Sequence, residues 1–267
     1  MMRIIARTFG YALFAGVLIG IAQAPLGAQE QPAHSDHSTF GYNEEVVKKL
    51  LEDLDPDIAF LARLKMMQGH LQAALLRVAA GDRAEAREHI THPASEILPD
   101  IVSVLKTRNL KDPSPALNLA LDKLKGGTTE EIETALYDAL VEIGTLEHSI
   151  DPKKIVIEGI VADAAVLLLR TAVMEYEEAF KEGKIINIVE YHDGSAFVTE
   201  AATLIRDAEY EWTTRDSAAY DKLDLALQKL QTAWPSEVPP PQSVLPVTHM
   251  LELVTIIDQQ IEKLLNR

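Results

Sequence analysis

Apolar residues recur every three or four positions along almost the whole chain, and apolar–polar alternation lasts nowhere for more than a few residues. That period belongs to α-helices rather than strands. It predicts an all-α fold of antiparallel helical bundles, with about seven to eight helices after a leader. Ile58, Leu61, Leu64, Leu71, Ala74, Leu75 and Val78 mark one helix from Pro56 to Ala80. Asp55 suits its N-cap and Pro56 its first helical position. Gly81-Asp82 then turns the chain, and Arg83 begins a helix that runs to about Lys106. Pro93 and Pro99 fall inside it, where each removes a backbone hydrogen bond and permits a kink.

The remaining punctuation divides the rest of the chain. Asp112 and Ser114 offer caps in the Lys111–Pro115 loop, and a helix from Pro115 to Lys125 ends at Gly126-Gly127. Thr128 followed by Glu131 has the spacing of a capping box and starts a helix reaching about Ser149. After Asp151-Pro152 a long, mostly apolar helix is expected from Lys154 to Glu182, with Gly183 as its C-cap. Asp163 and Arg170 interrupt the apolar run, so each is expected to be buried with a partner or paired across a neighbour. Further helices are expected from Asn187 to Trp212, from Asp216 to Ala233 and from Ser243 to Leu265. Pro235 to Pro241 reads as an extended spacer before the last of these. The expected organisation is an N-terminal bundle over 41–150 and a C-terminal bundle over 151–267.

Residues 1–28 read as a signal peptide: Arg3 and Arg7 precede an uncharged, apolar run with Ala22-Gln23-Ala24 near its end. The run is also about long enough to remain as a membrane anchor, which is the alternative. Export to a periplasm is the expected destination. Residues 29–40 are polar and aperiodic, a disordered lead-in in which His34 and His37 flank Asp36. There is no cysteine, which excludes disulfides, thiolate metal sites and a CxxCH haem attachment. A formal charge of −16 speaks against nucleic acid, whose binding relies on Lys and Arg neutralising phosphates.

The chemistry concentrates around the first hairpin. His89, His92 and Glu96 share one helix face at i, i+3 and i+7, and His70 stands as far before Gly81 as His92 stands after it. Across an antiparallel turn, His70 and His92 therefore lie level. Imidazoles and a carboxylate at one level suit a borderline ion, so His70, His89, His92 and Glu96 form the candidate site for iron, with copper or zinc as alternatives. A polar core network is the competing reading of the same residues. Met66 or Met67 with a histidine would open a third, a non-covalent haem or copper site, although methionines at helical spacing usually fill cores. No nucleophile elbow, HExxH or phosphate-cradling glycine loop occurs, and no pair of Glu-x-x-His motifs, so no enzyme is expected.

The stretch Glu175-Tyr176-Glu-Glu-Ala179-Phe-Lys-Glu-Gly183-Lys-Ile185-Ile-Asn187-Ile-Val-Glu190-Tyr191-His-Asp193 through Phe197 resembles a helix–turn–helix of the helical periplasmic regions associated with Ftr1-type bacterial iron permeases. The resemblance covers about residues 170–200, and the permease's own membrane-embedded glutamate motif is absent. It implies a soluble companion of an inner-membrane iron permease. Read from its residues alone, the stretch is a hairpin with Asn187 as an N-cap and Glu190 at its N3 position. Glu178 and His192 are each seven residues from Ile185 and are expected level across the turn. Glu178, Glu190 and His192 form a second, weaker candidate site, against the reading that they cap and pack the hairpin. The expected function is a metal-binding protein that buffers or delivers iron to an uptake system; the alternative is a metal-free helical scaffold that docks a membrane partner.

Overall fold

The Asp55 carboxylate accepts the Asp57 backbone N–H at 2.8 Å and starts α1, Pro56–Ala79, as the Asp-Pro pair demands. The computed structural model describes residues 51, 54–157 and 159–267, without the side chains of 155–157. The leader and the His34/His37 lead-in lie outside them, as does most of the stretch from Tyr42 to Leu54, which the sequence predicts to be a short helix.

Gly81, at φ +83°, reverses the chain, and Asp82 caps α2, Arg83–His92, by accepting the Glu85 N–H at 3.0 Å. The helix expected to continue to Lys106 is interrupted by a π-turn over Pro93–Ile97 before α3, Leu98–Thr107. The π-turn coincides with the first of the two prolines, whose missing N–H loosens the ladder. α4 follows at Ser114–Leu124 and α5 at Thr129–Leu146, the latter opened by the Thr128/Glu131 capping box with both reciprocal bonds formed. A short 3-10 turn, Glu147–Ser149, extends α5 to its expected end.

The long helix expected from Lys154 is in fact two, α6 at Pro152–Ile157 and α7 at Ile160–Ala179. Gly159 separates them at φ +77°, a left-handed conformation that only glycine adopts without strain. Gly183 is also not a C-cap. α7 ends at Ala179, and Phe180–Lys181 (β1) pairs antiparallel with Lys184–Ile185 (β2) around Glu182-Gly183, both at positive φ. Two central residues at positive φ give the turn whose twist suits a tight hairpin. Asn187 caps α8, Ile188–Asp207, by accepting the Val189 N–H. α9, Glu209–Gln231, carries a break at Asp216, which caps its second part through the Ala219 N–H, and α10 is Val247–Leu264.

α7 and α8 pack along their lengths, α9 pairs with α10, and α10 lies against α7. α1 runs through the middle of the described residues, touching α2, α5, α7 and α8. One continuous apolar core contains Phe60, Leu64, Met67, Leu71, Leu136, Tyr176 and Phe197, so Met66 and Met67 serve as core residues. Asp163 and Arg170 both find partners on or beside the last helix: Asp163 takes a bidentate pair from Arg267, and Arg170 meets Asp258 at 2.7 Å. Among the described residues no helix is long and apolar enough to cross a membrane.

Two glycines set the spacing at the centre of the molecule. A Cβ on Gly69 would lie 2.8 Å from the Phe197 ring, so its absence lets α1 press against α8. A Cβ on Gly194 would meet Trp234 at 2.9 Å and the Ala172 carbonyl at 3.0 Å, so α8 also approaches α7 closely there. Each glycine is next to a residue of the site described below, His70 and Asp193.

Candidate metal centre

Asp193 is fully buried on α8 and is approached by three imidazoles. The Nδ1–H groups of His70 and His89 both donate to its Oδ1 at 2.8 Å, and that of His92 faces its Oδ2 at 3.2 Å. His70 comes from α1 and the other two from α2, so the first helical hairpin delivers all three rings to one carboxylate. The level pairing across Gly81 is present: the His70 and His92 rings stand edge to face with centroids 5.3 Å apart. Phe197 closes the other side of His70 at 4.9 Å.

Behind this group lies a second. Glu85 Oε1 accepts a hydrogen bond from His192 Nδ1 and sits 3.5 Å from His89 Nε2. His192 turns its other nitrogen outward and donates Nε2–H to the Glu237 carbonyl at 2.7 Å. That carbonyl belongs to the proline-rich segment between α9 and α10. The segment is tied down by Tyr191 Oη–H to the Ser236 carbonyl, by Trp234 Nε1–H to the Tyr191 carbonyl and by the Val244 N–H to Tyr176 Oη. His70, His92 and Asp193 form one group of potential ligand atoms within 4.8 Å of one another, and Glu85, His89 and His192 form another.

A third group is made of carboxylates alone: Glu175, Glu178 and Glu190. Glu175 shows what such crowding costs. Burial, then the charges of Glu190, Asp193 and Glu178, raise its pKa well above the ordinary carboxyl value.

Charge in the two histidine groups is balanced by protons. Burial would favour a neutral His89 ring, but Asp193 and then Glu85 outweigh it and raise its pKa to about 9. His92 is raised to about 9 as well; burial opposes this, and Asp193, Glu190 and Glu96 overcome it. Burial also works against ionising Glu85 and Asp193. The hydrogen bond from His192 and the nearby charge of His89 nevertheless hold Glu85 at about 2, and His70 with His89 hold Asp193 well below its usual range. The protons of His89 and His92 thus set positive charge against these carboxylates.

The donor set fits a first-row transition ion. Nitrogen and carboxylate oxygen ligands at about 2.1 Å from one octahedral ion lie about 3.0 Å from each other. The His70–Asp193 and His92–Asp193 separations of 2.8 and 3.2 Å match that edge. Two imidazoles and one carboxylate are the ligands that non-haem iron(II) takes in the facial arrangement with open positions.

Of the residues expected from sequence, His70, His89 and His92 are brought together. Glu96 lies exposed on the π-turn; its charge acts on His92, while the carboxylate that meets the rings is Asp193. Glu178 and His192, expected level with each other, are divided between two groups: Glu178 stands with Glu175 and Glu190, and His192 with Glu85 and His89. Sequence reading missed Glu85 and Asp193. Glu85 precedes His89 by four residues on α2, a spacing that does put two side chains on one face. Asp193 gives no local signal beyond its place after His192.

No curated protein and no solved structure matches the chain. The site straddles the limit of what a family comparison covers, since His70, Glu85, His89 and His92 precede α7, whereas His192 and Asp193 follow it. Residues 159–267, the helices from α7 to α10, match the family model of the iron permease-associated 4-helix bundle domain, and the resemblance over about residues 170–200 falls within that match.

Proposed function

We propose that this protein is an exported metal-binding protein that holds iron at the His70/His89/His92/Asp193 centre and buffers it for, or delivers it to, an inner-membrane iron permease. One observation carries the reading: four imidazoles and two carboxylates from three helices converge in the core with only exchangeable protons to balance them. Stable cores rarely bury so many titratable groups for packing alone, because each must be desolvated and paired. A metal ion replaces those protons at the same positions. The match of residues 159–267 to an iron permease-associated domain supports iron as the cargo and a permease as the partner. Copper and zinc suit the same ligands and are the competing occupants. The apolar start of the chain supports export, which places the protein where incoming iron passes.

The test is metal content by mass spectrometry on protein purified from a periplasmic extract, wild type beside a His89→Ala/His92→Ala variant. Stoichiometric iron in the wild type, lost in the variant with helical content retained, is the expected result. Absence of bound metal, together with no uptake on titration with iron(II), copper(II) or zinc(II), overturns the reading.

A further inference from the structure

We infer that the centre holds two ions, one on each side of the His89 ring: the first on His70, His92 and Asp193, the second on Glu85, His89 and His192. The inference rests on the metal-binding reading above and adds the number of ions and the division of ligands. Its basis is the orientation of His89. Nδ1 faces Asp193 at 2.8 Å, and Nε2, on the opposite edge of the ring, faces Glu85 at 3.5 Å. The two nitrogens of one imidazole diverge, so a single ion cannot collect both edges. The six side chains therefore fall into two sets of three, each with two imidazoles and one carboxylate.

The second set has an independent mark of a ligand site. His89 is 0 % exposed, and its Nε2 makes no hydrogen bond, although Glu85 stands 3.5 Å away as an ion-pair neighbour. A buried ring nitrogen without a hydrogen bond is a costly arrangement that ligation would resolve. Both imidazoles of this set are also held from behind by an oxygen acceptor. Asp193 Oδ1 accepts from His89 Nδ1–H, and the Glu237 carbonyl accepts from His192 Nε2–H. Carboxylate or carbonyl acceptors behind the ring fix the tautomer and aim the other nitrogen at an ion. Here they aim His89 Nε2 and His192 Nδ1 at the space beside Glu85.

Asp193 thus serves both positions. It is a ligand of the first ion and, through His89, a positioning residue for the second. Loss of its charge weakens both positions, whereas loss of Glu85 weakens one.

The experiment is anaerobic titration of metal-free full-length protein with iron(II), and separately with cobalt(II), followed by desalting and metal analysis, with circular dichroism on every sample. Wild type is expected to retain two ions per chain. Glu85→Gln and His192→Gln are each expected to retain one, as is His70→Gln. Asp193→Asn is expected to weaken both positions at least tenfold, with cobalt(II) absorption lost from both. One ion in the wild type, abolished equally by Glu85→Gln and His70→Gln, overturns the two-ion inference and leaves the metal-binding reading intact. No ion in the wild type overturns the reading itself. The wild-type count decides between these outcomes even if a variant fails to fold.

Discussion

Helices α1 and α8 bury two polar clusters, and only one has the makings of a metal site. Towards the start of α1, Lys65 reaches Glu147 at 2.8 Å, Gln68 at 2.9 Å and Glu200 of α8 at 3.8 Å, while Gln72 donates to Glu200. Between Gln68 and Gln72, His70 joins His89, His92 and Asp193 instead. Both clusters place carboxylates in the core. The difference is the cation. Lys65 brings a covalently attached ammonium, so its cluster is closed. The histidine cluster is balanced by protons on rings that can also be neutral, and a neutral ring is a ligand. Burial raises the Glu200 pKa even with Lys65 and Gln72 pulling it down, whereas the imidazoles hold Asp193 well below its ordinary range. A buried carboxylate is open to a metal ion only when its counter-ion can leave.

The sharpest way to break this contrast is Asp193→Asn. It keeps the shape but leaves imidazolium rings buried without their carboxylate, and removing one partner of a buried charge pair costs about 3–5 kcal/mol. Urea unfolding of the metal-free protein is expected to show a loss of that order. An unchanged midpoint would mean that the rings are neutral and the charge balance described above is wrong.

The next effect is on pH. His89 and His92 have folded pKa values of about 9, above the ordinary 6.5, so their contribution to stability is complete below about pH 6.5. It is lost as pH rises through about 9. Glu85 acts in the opposite sense: held at about 2 against an ordinary 4.5, it contributes above about pH 4.5 and loses that contribution as pH falls through about 2. Thermal melts of the metal-free protein should therefore decline from pH 6.5 to 9, and bound metal should flatten that decline. A decline identical with and without metal would separate the histidines from metal binding.

Lys65→Met tests the closed cluster. It leaves Glu147 and Glu200 without their ammonium and is expected to cost about 1–3 kcal/mol, with Glu200 taking up a proton. Metal content should not change; a loss of bound ion would show that the two clusters are one system. The smallest effect is expected from Thr128→Ala, which removes the cap of α5 far from either cluster. About 1 kcal/mol in chemical denaturation, with metal content unaltered, is the expected result.

Much of this was legible in the sequence because the signals are local. Apolar periodicity, the Asp55-Pro56 start, the Gly81-Asp82 turn and the Thr128/Glu131 box all act within a few residues, and they define most of the helices. The three histidines of the first hairpin were legible for the same reason, since a two-residue turn fixes what lies level across it. Asp193 was not, because its role is created by α8 packing against α1, and the close approach at Gly69 has no signature except a glycine inside a helix. The break at Gly159 was missed for a related cause. A single glycine in a strongly apolar run is compatible with a continuous helix, and only its left-handed backbone reveals the interruption. Glu182-Gly183 likewise forms a two-residue hairpin turn whose strands are too short to show alternation.

The centre is also a long-range closure of the chain. His70 and Asp193 are 123 residues apart, Glu85 and His192 are 107 apart, and no segment ending before α8 or beginning after α2 contains a complete set. Closing loops of this length carries an entropic cost that contacts within one helix do not. An ion that binds only the assembled centre then acts as a clasp on the native state, adding about 4.1 kcal/mol when its free concentration is a thousand times Kd. Release of such an ion would withdraw that contribution from the docking of the first hairpin on α8, so in a metal-loaded protein unloading and loosening would be one event.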